Sequence, residues 1–157
     1  MTRVRLPVLG TAAEPAPDRE PRFDRCLPEA LRPAPGALVV VAGARAARRR
    51  AAADFARALE GEGLRVASLE EARAGTTRED VVRAISALAT DTDVTVVEGH
   101  ASLGLYRATL SVVVGAVGTD AALRRLRGVA DVEVEEASAS LVAALAALVA
   151  KRVLARP

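Results

Sequence analysis

An arginine-rich stretch follows the first long apolar run of the chain and holds several side chains able to bind an anion. From Gly43 to Arg50 the sequence reads Gly-Ala-Arg-Ala-Ala-Arg-Arg-Arg. In the phosphate-binding pattern G-x-x-x-x-G-K-[ST], backbone amides of a glycine-rich turn cradle the phosphates of a nucleotide. With Gly43 as the first glycine, Arg48, Arg49 and Arg50 stand at the positions of the second Gly, the Lys and the hydroxyl residue.

These three replacements remove different parts of a nucleotide site. Arg48 places a side chain where the backbone has to curl around phosphate. Arg49 keeps the positive charge of the lysine but changes its reach and geometry. Arg50 removes the hydroxyl that would bind Mg²⁺, which phosphoryl transfer needs to neutralise developing charge. We therefore do not expect ordinary hydrolysis of a nucleoside triphosphate.

What remains is a predicted helix N-terminus surrounded by guanidinium groups. Helix N-termini attract anions, and arginines strengthen that attraction, so a phosphate, sulfate or carboxylate is a candidate ligand. The alternative is that Arg45, Arg48 and Arg49 form an ordinary solvated face. Both interpretations stay open at this point.

A second group of chemically active residues follows the third apolar run. Glu98 stands at the tip of that run, Gly99 permits close backbone approach, and His100 is the only histidine of the chain. Tyr106 and Arg107, a few residues later, would either close over a ligand or cap the loop. If the first and third strands adjoin, Glu98 lies beside the arginine-rich turn. His100 has no neighbouring residues that form a recognisable triad or metal cluster, so its use in catalysis and a plain polar loop role both remain open.

Composition limits the other classes of site. Cys26 is the only cysteine, which excludes an internal disulfide and a cysteine-based metal centre. We assign no catalytic residue, no metal site, no cofactor and no enzyme class. The formal net charge is +2, and almost every basic residue is an arginine. A GC-rich genome also enriches a protein in alanine and arginine, so the arginine content is not evidence for a nucleic-acid partner. The chain has only three aromatic residues, so base stacking lacks partners and nucleic-acid binding ranks last.

The predicted location is the cytoplasm, away from membranes. The opening MTRVRLPVLG has no long apolar stretch after its basic residues, so no signal peptide is predicted. The longest apolar run, Leu141 to Ala150, is too short to span a bilayer.

Two regions are expected along the chain. Residues 1–36 contain seven of the eight prolines and predict an irregular arm, with a short edge strand at Arg3–Val8 and one helical turn at Cys26–Leu31, or else a disordered tail. Residues 37–157 predict a single α/β domain, large enough to bury a substantial core. The chain as a whole is 51% apolar, so we do not expect it to be disordered throughout.

Alternating apolar runs and helical periods predict the architecture of that domain. Strands are expected at Ala37–Ala42, Leu64–Leu69, Asp93–Val97, Leu110–Val117 and Val132–Val134, the last at an edge. Helices are expected after Gly43 as far as about Glu60, after a capping box at Thr77–Asp80, between Thr119 and Gly128, and after Ser138 or Ser140 with Leu141, Leu145, Leu148 and Val149 inward. This order predicts a three-layer α/β fold, with a mostly parallel five-stranded sheet and helices on both faces. Ligands of such sheets bind at the carboxyl ends of the strands.

Three segments resemble the phosphate-loop proteins that include dethiobiotin synthetase and, more closely, the molybdopterin-guanine dinucleotide accessory GTPases of the MobB family. They are Val39–Gly43, Ala58–Val66 and Val96–His100, within a similarity that covers residues 37–153. The resemblance implies a phosphate-loop type of fold. The nucleotide loop and the family's Lys-His segment after the second strand have no counterpart, so GTP binding and hydrolysis do not carry over.

The favoured hypothesis is a non-hydrolysing accessory or binding protein, linked by the resemblance to molybdopterin-type cofactor biosynthesis. Its partner would be an anionic small molecule or another protein, and a homodimer stays open. The predicted ligand-binding residues are Gly43, Arg45, Arg48, Arg49, Arg50, Glu98, Gly99, His100 and Arg107. The alternative is a small Rossmann-like enzyme that acts on an anionic small molecule through Glu98 and His100. A dinucleotide or corrinoid module is disfavoured, because the glycine fingerprint is missing and the link between the third and fourth strands is too short for a crossover helix.

Overall fold

The computed structural model describes residues 31–115 and 130–156. Its strands, numbered along the chain, are β1 Arg32–Pro33, β2 Ala37–Gly43, β3 Val66–Glu70, β4 Val94–Glu98, β5 Tyr106–Arg107, β6 Leu110–Val114 and β7 Val132–Val134. Its helices are α1 Arg45–Gly61, α2 Glu71–Ala74, α3 Arg78–Ala89 and α4 Ala139–Leu154, with a 3-10 helix at Ala101–Gly104. The order of strands and helices is the α/β alternation that the sequence predicts.

Five of these strands form one parallel sheet in the order β3-β4-β2-β6-β7. In the two common doubly wound orders, the first strand of the sheet borders the second. Here β4 lies between β2 and β3 instead, so the first strand borders the third, and Val41 pairs with Glu98. This order brings the carboxyl ends of β2 and β4 side by side and separates the fold from the dinucleotide arrangement.

Helices cover both faces of the sheet because the central strands are apolar on both faces. All seven residues of β2 are buried, so each face needs its own apolar cover. α1 and α4 pack on one face, through Phe55, Leu59 and Val149 among others. α3 and the 3-10 helix pack on the other, through Val81 and Ile85. The predicted three-layer parallel architecture is confirmed.

Two predicted helix starts are confirmed in detail. At α3 the Thr77 hydroxyl accepts the Asp80 N–H while the Asp80 carboxylate accepts the Thr77 N–H, which is the predicted capping box. At α4 the Ser138 hydroxyl accepts the Leu141 N–H, so Ser138 rather than Ser140 begins the helix. Both caps satisfy backbone donors that have no partner inside the helix.

Several expectations need correction. The predicted polar loop after β3 contains the helical turn α2, and β3 begins at Val66 rather than at Leu64. Leu148, predicted to face inward, is 44% exposed. Val149 is buried as predicted, and Leu141 and Leu145 are half-buried. α4 also buries Val142, Ala146 and Ala150, because close packing against α1 favours the face with less side-chain volume.

The end of the predicted arm also differs from an irregular segment. Arg32–Pro33 pairs in parallel with Tyr106–Arg107, and the Arg32 N–H donates to the Leu105 carbonyl. The predictions for Arg3–Val8, for Cys26 and its neighbours, for residues 116 and 117 and for the helix between Thr119 and Gly128 lie outside the described residues. Within the described ranges, no helix combines the length and apolar character needed to cross a bilayer.

Candidate functional site

The connection between β2 and α1 is a single residue, Ala44, which acts as the N-cap of α1. In the phosphate-binding pattern four residues separate the two glycines, whereas here the helix already begins at Arg45. Arg48, Arg49 and Arg50 therefore lie in the first turns of a helix rather than in a loop. The residues after Ala44 are helical and form no glycine-rich turn.

Gly43, at the end of β2, packs closely against the backbone of the neighbouring strand β6. Its φ is 124°, in the region that favours glycine, and a Cβ added there would lie 1.9 Å from the Val114 carbonyl oxygen. The next residue, Ala44, donates its N–H to the same carbonyl at 2.9 Å. The Gly43 N–H donates to His100 Nε2 at 3.2 Å. Both backbone donors at the end of β2 thus have partners inside the protein.

Arg48 fills the space between the ends of β2 and β4. Its Nε donates to Glu98 Oε2 at 3.0 Å, and its Nη1 donates to the Gly43 carbonyl at 3.1 Å and to His100 Nε2 at 3.3 Å. The side chains of Arg48 and Glu98 are only 11% and 8% exposed. One buried guanidinium therefore links the arginine-rich turn to the Glu98-Gly99-His100 segment. We call Gly43, Arg48, Glu98 and His100 the Arg48 cluster.

The imidazole of His100 is oriented by the donors that face it. Its Nε2 receives the Gly43 N–H and the Arg48 Nη1, and also lies 3.3 Å from the Gly43 carbonyl oxygen. Two hydrogen-bond donors and one acceptor therefore face Nε2. The two donors favour the neutral imidazole with its proton on Nδ1, because in that tautomer the lone pair of Nε2 can accept both hydrogen bonds. In this arrangement Nε2 accepts hydrogen bonds from within the Arg48 cluster.

A second, more exposed layer of charge lies next to the cluster. Arg49 Nη2 donates to Glu70 Oε2 at 2.6 Å, and Arg73 lies 3.2 Å from the same carboxylate. Glu70 and Glu98 are register partners on β3 and β4, so their like charges would repel without the arginines. The hydrogen bond from Arg49, followed by the positive charges of Arg49, Arg73 and Arg45, holds the pKa of Glu70 below its ordinary value.

The remaining arginines of the turn lie at the surface. Arg45 and Arg50 are exposed on the first turns of α1, and the Arg49 side chain is 52% exposed. α1 has no side-chain cap and no acidic residue in its first turn. We call Arg45, Arg49 and Arg50 with this uncapped helix start the arginine rim.

The structure does not bring Arg107 to this site. Arg107 pairs with Pro33 in the two-residue ladder that precedes β2 and β6, and the nearby Thr109 N–H donates to the Leu38 carbonyl near the start of β2. Arg107 thus lies toward the amino ends of the strands, whereas Glu98 and Gly43 lie at the carboxyl ends. Its neighbour Tyr106 is buried in the core, where desolvation raises its pKa. Neither residue is placed to close over the Arg48 cluster.

Glu71 is a buried positioning residue that the sequence analysis did not identify. It is 1% exposed, and its carboxylate accepts the N–H groups of Ala101 and Ser102 at 3.0 and 2.7 Å. These contacts cap the 3-10 helix that follows His100. A Cβ on Gly99, whose φ is 152°, would lie 2.1 Å from Glu71 Oε1, so glycine is required where the two segments meet. Sequence alone offers little signal, because Glu71 and its partners are about thirty residues apart.

These contacts limit what the site can do chemically. Glu98 Oε2 and His100 Nε2 are both bound to Arg48, which leaves neither of these two atoms presented as a general base. In the ranges 31–115 and 130–156, no group of three or more His, Cys, Asp and Glu residues is arranged to hold a metal ion. The exposed chemistry at this edge is positive charge on the arginine rim.

No protein-family model, no curated protein and no solved structure matches the chain.

Proposed function

We propose that this chain is a non-hydrolysing accessory or binding protein that recognises an anionic group at the arginine rim. The observation that carries the proposal is the buried Arg48–Glu98 ion pair at the junction of β2 and α1. An internal cation and its own carboxylate occupy the strand ends where a nucleotide-hydrolysing protein of this architecture would hold Mg²⁺ and phosphate. Binding is then left to the exposed surface beside them.

The backbone supports this proposal independently of the side chains. Phosphate cradles use several unpaired N–H groups in succession. The Gly43 N–H is bound to His100 and the Ala44 N–H is bound to Val114, so neither is available at the end of β2. Triphosphate binding in the usual pose would require both hydrogen bonds and the Arg48 contacts to break.

The arginine rim supplies the features that an exposed anion site needs. The N–H groups of the first turn of α1 lack a side-chain cap, and the positive end of the helix dipole is not offset by an acidic residue there. Arg45 and Arg50 add positive charge beside it. A phosphate or carboxylate carried by a small molecule or by a protein partner fits this chemistry.

The resemblance to the MobB family suggests a setting for such a protein. Molybdopterin-type cofactor biosynthesis would supply anionic precursors and partner enzymes, and an accessory role does not require GTP turnover. The alternative, an enzyme using Glu98 and His100, ranks lower because Arg48 engages both side chains. We expect Glu98→Gln to leave any measured turnover unchanged once its effect on folding is taken into account.

Calorimetric titration with GTP and with ATP, each with Mg²⁺, together with a phosphate-release assay, tests the first half of the proposal. We expect no turnover and no Mg²⁺-dependent binding. Robust turnover by the purified wild-type chain would contradict the proposal outright.

Titration with pyrophosphate tests the second half. We expect weak binding that decreases with added salt, because the contacts are exposed. The double variant Arg45→Ala/Arg50→Ala should lose that binding, whereas Arg57→Ala, an exposed arginine farther along the same helix, should keep it. Equal losses in both variants would show a non-specific charge effect and remove the arginine rim from the proposal.

A further inference from the structure

The outer face of α4 is apolar although no described part of the chain covers it. We define the α4 outer face as Ser140, Ala143, Ala144, Ala147, Leu148 and Lys151, which are all exposed and follow a helical spacing. Leu148 and the nearby Leu154 are 44% and 69% exposed, and they are the large hydrophobic side chains that stand out at the surface of the described residues. A helix that is apolar on its inner and outer sides is expected to be covered on both.

The middle of this face is suited to close contact with another helix. From Ser140 to Ala150 the helix carries no charged residue, and Ala143, Ala144 and Ala147 are small. Small side chains let two helix backbones approach, while Leu148 at the margin provides apolar area.

The two ends of the face carry opposite charges. Glu135 and Glu136 are exposed just before the N-cap Ser138, and Lys151 closes the face at the other end. Lys151 lies on the helix seven residues after Ala144, whereas Glu135 and Glu136 lie in the segment that precedes the helix. If two copies of the helix pack antiparallel across Ala143 and Ala144, the lysine of each copy comes to the end at which the helix of the other copy begins, next to its glutamates.

We propose that the α4 outer face binds a second copy of this chain in an antiparallel, two-fold symmetric dimer. Isologous interfaces must be self-complementary, and an apolar centre flanked by acid at one end and base at the other satisfies that requirement. A helix of this length is about 24 Å long at 1.5 Å per residue. Its outer face alone buries less than the roughly 800 Å² per partner of a standard interface, so the dimer is expected to dissociate on dilution through the micromolar range.

Sedimentation velocity of the full chain across about 5 to 500 μM is the first test. The wild type should shift from monomer to dimer as concentration rises. Ala144→Glu places a carboxylate at the centre of the face and should raise the dissociation constant at least tenfold. Ala87→Glu, the same change at an exposed position of α3, is the matched control and should leave the dissociation constant unchanged. A wild type that stays monomeric over the whole range overturns the proposal.

Symmetric cross-linking tests the geometry. In a Cys26→Ser background, Ala144→Cys lies at the two-fold axis and should form a disulfide-linked dimer under mild oxidation, whereas Ala87→Cys should not. Lys151→Glu should weaken the dimer, and adding Glu135→Lys and Glu136→Lys to it should restore association. Equal cross-linking by both cysteine variants, or no restoration by the charge exchange, overturns the antiparallel arrangement.

Two further outcomes would reassign the face. Concentration-independent binding of the monomer to phosphatidylserine vesicles, lost in Ala144→Glu, would mean that the face contacts a membrane surface and would overturn the dimer. The pyrophosphate titration of Ala144→Glu should equal that of the wild type, because the arginine rim is on another helix. This readout keeps the failure of the dimer distinguishable from the failure of the proposed function.

Discussion

The helices α1 and α3 start in opposite ways. α3 begins at Thr77 with a complete capping box and carries Glu79 and Asp80 in its first turn, so its start satisfies local rules of helix formation. α1 begins after Ala44 with no side-chain cap and with arginines at the positive end of its dipole. Its start breaks those rules and is compensated by contacts from distant strands, chiefly Glu98 on β4 and Glu70 on β3.

The contrast suggests different roles for the two helix starts. A helix start whose residues follow the local capping preferences is explained by helix formation alone. A start that conflicts with local preference and is held by long-range ion pairs is where function is expected in natural proteins. This difference supports the choice of the β2–α1 junction over the α3 N-terminus as the candidate site.

Glu98→Ala should produce the largest loss of stability. It leaves the Arg48 guanidinium buried without its carboxylate, and breaking one partner of a buried ion pair costs about 3 kcal/mol. Urea denaturation followed by circular dichroism measures the change, with the exposed Glu62→Ala as control. The double variant Arg48→Met/Glu98→Leu should lose less than the two single changes together. A cost below about 1 kcal/mol for Glu98→Ala would mean that the Arg48 cluster does not hold the junction.

Thr77→Ala should have an intermediate effect on the other helix start. Removing the hydroxyl that accepts the Asp80 N–H is expected to cost about 1 kcal/mol. The neighbouring Thr76→Ala removes a hydroxyl outside the box and should change the free energy of unfolding by less than about 0.5 kcal/mol. Equal effects of the two variants would remove the distinction between a capped and an uncapped start.

Ala44→Ser should stabilise the chain slightly, because it offers α1 the missing cap. A serine at an N-cap position is favoured over alanine by about 0.5–1 kcal/mol. Thermal unfolding would show the gain, and Ala44→Val, which adds bulk without an acceptor, is the control. If serine and valine behave alike, the first-turn donors of α1 are already satisfied by other means.

Lowering the pH should reduce the stability of both helix starts, gradually and by less than the substitutions do. The pKa values of Asp80 and Glu70 are lowered in the folded chain, the first by hydrogen bonds from Thr77 and the second by the hydrogen bond from Arg49. A lowered folded-state pKa contributes stability that is present above the unfolded value and lost as pH falls through the folded value. Unfolding between pH 6 and 3 should therefore show falling stability, with a shallower slope in Asp80→Asn and in Glu70→Gln. Unchanged slopes in both variants would contradict the assignment.

Much of the fold could be predicted because its signals are local. The apolar run at β2, the Thr77–Asp80 capping box and the short edge strand β7 all follow from neighbouring residues. The four-residue helix α2 and the outward side of Leu148 were not predictable in the same way. The first contains the buried Glu71, whose partners are remote in the chain, and the second depends on which face of α4 packs against α1.

The candidate site was only partly predictable. Its residues Gly43, Arg48, Glu98 and His100 were identified from position, whereas Arg107 was placed with them because it follows the same loop in sequence. The buried Glu71 was missed because its partners Ala101 and Ser102 are remote in the chain.

By itself, the sequence determined the class of fold, and it shows that the pattern G-x-x-x-x-G-K-[ST] does not follow the first strand of the sheet; a ligand at the carboxyl ends of the strands stays a prediction. The tertiary structure alone decided that β4 lies beside β2, that α1 starts one residue after the strand, and that Arg48 turns inward to Glu98. The physical reason is that backbone preference acts between neighbours in the chain. The direction of a charged side chain is set instead by the free energy of burying it, which depends on partners that only the folded sheet brings within reach.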